Sequence, residues 1–251
     1  MDINVDMGES YGRWRLGDDA NVMPWITSAN IACGFHAGDP GTMRASARLA
    51  IEHGVSIGAH VAFPDLLGFG RRRMDISPDE VRDYAAYQIG ALQAIVTSEG
   101  GTLAHVKPHG ALYALCSGDR EHAAALAAAI AGVDAGLPLP LLSPHVAPAV
   151  ERHGVRLVLE AFPDLEYRPD GQLVIEPVKR AWDPDRVARR AVRLVREQRI
   201  DATSGTDLEI DAPTLCLHGD APNAAEIART VRRALERAGA TVEPLRSHPR
   251  R

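Results

Sequence analysis

One unit recurs along the chain: a short apolar or β-branched run, a polar loop carrying glycine, then a helix with a defined start. Neighbouring parallel strands need a long crossover, usually a helix, so this alternation calls for a parallel sheet covered by helices. "DINVD" (2–6) leads into a long loop and a short helix near 20–25. "SANIAC" (28–33) precedes a helix with Asp39 as N-cap and Pro40 at its first position, ending at Gly54. "VSIGAH" (55–60) runs through a long loop to Ser77-Pro78-Asp79-Glu80, a capping-box spacing, and then to amphipathic "VRDYAAYQIGALQAIV". "LAHVK" (103–107) precedes helices near 110–116 and 119–132, and "LPLLS" (139–143) and "VRLVLEAF" (155–162) are further strands. Pro169-Asp170-Gly171 marks a small hairpin. A helix opens at Asp183-Pro184, and "TLCLH" (214–218) precedes the last helix, from about 223 to 238. Seven or so such units in 251 residues predict an α/β fold, an irregular (β/α) TIM-like barrel of seven strands. It is read as a single catalytic domain over 1–251, with 246–251 a loose tail.

Composition removes several function classes. A net charge of −5 argues against a general nucleic-acid or anionic-membrane partner, and 5% aromatic residues leave few stacking platforms. The apolar run "HAAALAAAIAGV" is too short and too rich in alanine to span a bilayer. The N-terminus lacks the basic-then-apolar pattern of a signal peptide. Three widely spaced cysteines, Cys33, Cys116 and Cys216, do not make a disulfide framework. The expected compartment is cytoplasmic.

In a parallel α/β barrel the loops after the strands share one rim, and chemistry occurs there. The unusual residues of this chain gather at strand ends: Asn4 and Asp6, then His36 and His60, then Lys107 and His109, and finally His218 and Asp220. Asn4 and Asp6 share a parity, as do His105, Lys107 and His109, and Cys216, His218 and Asp220, so each set can face inward together. The catalytic candidates are Asp6, His36, His60, Lys107, His109 and His218. Candidates for holding a substrate are Asn4, Glu9, Ser10, Asp220 and, as carboxylate or phosphate captors, Arg71 and Arg72. One carboxylate and two imidazoles, Asp6, His36 and His60, also form a set able to take a divalent metal. Asp39 is better explained as a helix cap, and Cys33 and Cys216 as small buried apolar groups. Gly8-Glu9-Ser10-Tyr11-Gly12 matches the nucleophile-elbow pattern without the helix that the elbow needs. No Walker A sequence or dinucleotide fingerprint occurs.

The segments "NVDMGES", "TSANIACGFHAGDP", "GAH", "PDLLGFGRR", "YQIGALQA", "HVKPHGALY" and "CLHGD" closely resemble the lactam-utilisation (LamB/YcsF) family, in order, from residue 2 to about 240. The resemblance implies a barrel of the glycoside hydrolase/deacetylase type. It also implies ATP-dependent hydrolytic opening of 5-oxo-L-proline to L-glutamate, with ATP as co-substrate and subunits B and C as partners. Val61 stands where the family pattern has proline, Leu165 where it has arginine, and Ile175-Glu176 where it has Pro-Arg. These departures bear on which substrate is taken. Two rival readings are a metal-dependent carbohydrate deacetylase-like hydrolase acting alone and a non-catalytic small-acid-binding subunit.

Overall fold

The computed structural model describes residues 1–175 and 179–245, so the expected loose tail and Glu176 lie outside the described residues. Strands β1 (Asp2–Met7), β2 (Ser28–Ala32), β3 (Ser56–Val61), β4 (Leu103–Pro108), β5 (Leu139–Leu141) and β6 (Leu157–Ala161) come first in the chain. The short pairs β7 (Glu166–Tyr167) with β8 (Leu173–Val174) and β9 (Arg199–Asp201) with β10 (Asp207–Glu209) precede β11 (Thr214–Leu217). The main sheet runs β4-β3-β2-β1-β11-β6-β5, and its ladders are all parallel. Its two ends meet where the Val106 N–H donates to the Pro138 carbonyl at 3.1 Å, which makes a nearly closed seven-stranded barrel.

The helices are α1 (Asp19–Val22), α2 (Pro40–Glu52), α3 (Pro78–Ser98), α4 (Gly110–Gly118), α5 (Arg120–Asp134), α6 (Ala147–Glu151), α7 (Pro184–Glu197) and α8 (Ala224–Arg237). Their starts follow the sequence signals. The Asp39 carboxylate accepts from the Gly41 and Thr42 N–H groups, Asp183 accepts from Asp185, and Ser77 with Glu80 completes the capping box. The hairpin expected around Pro169-Asp170-Gly171 is β7–β8. The hairpin β9–β10 is an addition that the sequence reading does not contain, since strands of three residues are too short to show a period.

Alternation along the strands divides the barrel wall into two chemistries. Ile3, Val5 and Met7, with Ala29, Ile31, Ile57, Ala59, Leu215 and Leu217, belong to the apolar core between strands and helices. The intervening positions, Asp2, Asn4, Asp6, Ser28, Asn30, His60, His105, Lys107, Glu160 and Thr214, are buried and polar. Barrel interiors are usually filled by branched aliphatic side chains; this one holds a hydrogen-bonded polar column. Buried polar groups are tolerable only when paired. At the base Asp2 accepts from Thr27, Ser28 and Thr214, and above it Asn4 Nδ2 donates to Glu160 (2.8 Å) and to Thr214 (2.7 Å). Asn30 Nδ2 joins Asn4 Oδ1 at 2.8 Å to Asp6 Oδ1 at 2.9 Å.

Candidate active site

The polar column opens upward into a cavity of about 590 Å³ at the carboxyl ends of the strands. Asp6 and Lys107 form its floor, with His60, His109 and His218 on the walls and Arg71, Arg73 and Lys179 further out. Lys107 Nζ donates to Asn4 Oδ1 at 3.0 Å and to Cys216 Sγ at 2.9 Å, and it pairs with Glu160 at 3.0 Å and Asp6 at 3.4 Å. Burial alone would lower its pKa, but the negative groups, Asp6 foremost, hold it well above the ordinary lysine value. Burial would likewise raise the Asp6 carboxyl; His60 and Lys107 outweigh that and hold it well below the usual range. The pair is therefore ionised at neutral pH.

Above this floor three imidazoles and a carboxylate crowd together. His60 Nε2 is 3.3 Å from Asp6 Oδ1 and 3.0 Å from His109 Nδ1. His36 Nε2 is 3.3 Å from Glu9 Oε1, which is 3.7 Å from His109 Nδ1. The His36 and His109 rings stack with centroids 3.9 Å apart. Burial and then the neighbouring imidazoles push His36 and His109 well below the ordinary histidine value. Burial, followed by Asp6 and Asp220, pushes Glu9 well above the ordinary carboxylate value. The loop that carries His36 comes close because Gly70 leaves space beside it: a Cβ there would press on both His36 and His109.

The sequence candidates separate into groups. Asp6, His60, Lys107, His109 and His218 line one cavity. His36 and Glu9 pack beside them, while Asn4 sits one layer below and supports Lys107. Arg71 lines the cavity and pairs with Asp220 at 2.7 Å, so each neutralises the other. Arg72 is paired with Asp65 and points outward, and Ser10 shapes its own loop through Leu16. Cys216 is buried as expected, but its sulfur also accepts from Lys107. No helix follows Ser10; Tyr11 and Trp14 pair in a turn instead, which removes the nucleophile elbow.

The sequence reading missed several members. Glu160, a lone carboxylate in an apolar strand, holds Lys107 from β6. Asp164 accepts from the His218 backbone N–H at 2.8 Å and lies 3.0 Å from its Nδ1. Phe162 and Tyr113 flank Lys107, with ring centroids 5.4 and 5.9 Å from Nζ. Arg73 and Lys179 line the outer cavity.

The LamB/YcsF family pattern matches residues 1–250. This chain belongs to the LamB/YcsF family. It is 51% identical over 245 residues to the 5-oxoprolinase A subunit from Thermus thermophilus, covering 96% of this chain and 98% of that protein. It superposes on the crystal structure of a lactam utilization protein, also from Thermus thermophilus, with a TM-score of 0.90 at 48% identity, over 98% of this chain and 99% of that one. The catalytic domain of a peptidoglycan N-acetylglucosamine deacetylase from Eubacterium rectale shares the fold alone, with 9% identity, a TM-score of 0.50, and 99% and 92% coverage. What is shared there is the barrel architecture that the resemblance implied.

Proposed function

We propose that this chain is the A subunit of an ATP-dependent 5-oxoprolinase and hydrolyses the lactam of 5-oxo-L-proline to L-glutamate. The observation that carries the reading is the ionised Asp6–Lys107 pair on the floor of a cavity shared with His60 and His218. A lactam is a resonance-stabilised amide, so its opening needs an activated water, a stabilised oxyanion and a proton for the departing nitrogen. Asp6 takes the proton from water as it attacks the ring carbonyl carbon. Lys107 faces the charge that develops on the carbonyl oxygen. His218 gives the proton to nitrogen, since Asp164 at 3.0 Å from its Nδ1 fixes the ring with the other nitrogen left for the substrate. His109 is less suited to that step, because its Nδ1 faces His60 and its Nε2 faces the Phe69 carbonyl.

The chain carries no Walker A sequence, and activation of the lactam oxygen by ATP is assigned to partner subunits B and C. The loops offer such a partner large exposed apolar side chains, Leu67 (91% exposed), Trp14 (67%) and Ile175 (54%), with Arg13 and Arg15 flanking Trp14 in sequence. A small acid fits the cavity's outer cations, Arg73 and Lys179, better than Arg71 or Arg72, which already hold carboxylates. A second reading, a deacetylase-type hydrolase acting alone, is favoured by the cluster Glu9, His36, His60 and His109.

The test is ATP-dependent release of glutamate from 5-oxoproline, with and without the partner subunits. Turnover is expected only with partners, and Asp6→Asn is expected to remove nearly all of it while the fold is kept. Near-normal turnover by that variant would remove Asp6 from the mechanism, and ATP-independent release of acetate from an acetylated sugar would favour the second reading.

A further inference from the structure

The outward nitrogens of His60 and His109 both face backbone carbonyls. His60 Nδ1 is 3.1 Å from the Lys107 carbonyl oxygen, and His109 Nε2 is 2.8 Å from the Phe69 carbonyl oxygen. A carbonyl only accepts, so each outer nitrogen carries a hydrogen, and where neither ring takes a second proton that hydrogen is its only one. The inner nitrogens, His60 Nε2 and His109 Nδ1, then present lone pairs to each other at 3.0 Å. Two lone pairs at that distance repel unless something electron-deficient lies between them.

Imidazoles fixed by carbonyls on the outside and converging on the inside are the arrangement of metal ligands. Two ligand atoms about 2.1 Å from one ion, at angles of about 90–110°, stand roughly 3.0–3.4 Å apart. The His60–His109 separation falls in that range. Glu9 supplies a third donor: its carboxylate, His36, His60 and His109 all offer ligand atoms within 4.8 Å of one another. His36 and His109 stack only 8° from parallel, with centroids 3.9 Å apart, so one ion cannot lie in the planes of both rings. His36 therefore serves Glu9, 3.3 Å from its Oε1. Asp6 Oδ1 also lies 3.3 Å from His60 Nε2, but it is already engaged by Asn30 and Lys107.

We propose that His60 Nε2, His109 Nδ1 and the Glu9 carboxylate hold one first-row divalent cation of the zinc class, with Asp6 and His36 outside the ligand set. This differs from the Asp6–His36–His60 set that the sequence suggested. Two imidazoles and one carboxylate on one side of an ion leave positions open for water.

The proposal rests on the site and not on the lactam, and it is read without turnover, so a failed 5-oxoproline assay would leave it standing. Metal content is measured by elemental analysis on the full-length protein as purified, and again after stripping and reloading with Zn²⁺ or Co²⁺. About one equivalent per chain is expected, with visible Co²⁺ ligand-field bands. Asp6→Asn is expected to keep that equivalent, while Glu9→Gln and His109→Ala weaken binding at least tenfold, with each variant's fold checked by circular dichroism. Wild-type protein that takes up neither ion would overturn the proposal and leave a proton between His60 and His109. Loss of the ion in Asp6→Asn with retention in Glu9→Gln would overturn the ligand set.

Discussion

His105 occupies the polar column one layer below Lys107, almost fully buried, with its Nε2 donating to Asn30 Oδ1 at 2.6 Å. Burial, then Lys107 and His60, pull its pKa down to about 3. A histidine depressed in the folded state binds its proton more readily when unfolded, so folding loses stability as pH falls below about 6.5 and goes on losing it down to about 3. The slope is about 1.4 kcal/mol per pH unit, or about 2 kcal/mol between pH 6.5 and 5. Urea denaturation of His105→Gln at those two pH values should show that much less acid sensitivity than wild type. At this scale the sequence was readable wherever a charged residue shared a strand parity with its neighbours, as with Asp6, Lys107 and His218. Glu160 carried the same signal inside "VRLVLEAF", where it shares a parity with Phe162: Glu160 meets Lys107 and Phe162 lines the cavity. Asp164 carried none, because it reaches His218 from a loop 54 residues away.

Between β3 and β4 the register slips after Ile57, so that Gly58 faces His105. A Cβ at Gly58 would fall within the His105 ring, so the glycine is required by close approach and not by its backbone angles. Gly58→Ala is expected to cost about 1–3 kcal/mol, the usual range for overpacking a core. In combination with His105→Ala the cost should be smaller than the sum of the two single changes, as a double-mutant cycle in urea would report. The longer elements were legible because caps and amphipathic periods are local: Asp39, Ser77 and Asp183 each begin a helix where expected. Register is not local. The slip at Gly58 and the hairpin β9–β10 depend on partners distant in sequence or on strands too short to carry a pattern.

Seven strands nearly close the barrel, and the carboxyl ends of its walls gather residues from β1, β3, β4 and β11 into one cavity. Its apolar rim makes a separate prediction. Leu67→Asp, remote from Asp6 and Lys107 in function and solvated, should leave the thermal midpoint within about 1 °C of wild type, as solvated surface changes do. If the proposed B and C subunits dock here, it should also weaken their association in analytical ultracentrifugation; unchanged association would clear this loop of that role.

The polar column also limits how the chain can go wrong. Shifting one strand by a single residue would send Asp2, Asn4 and Asp6 into the greasy layer beneath the helices and drop Ile3, Val5 and Met7 among ions. Both halves of that error are penalised at once. A misthreaded wall therefore finds no comfortable resting place, and the ladder of charges that serves the cavity also proofreads the assembly of the sheet around it.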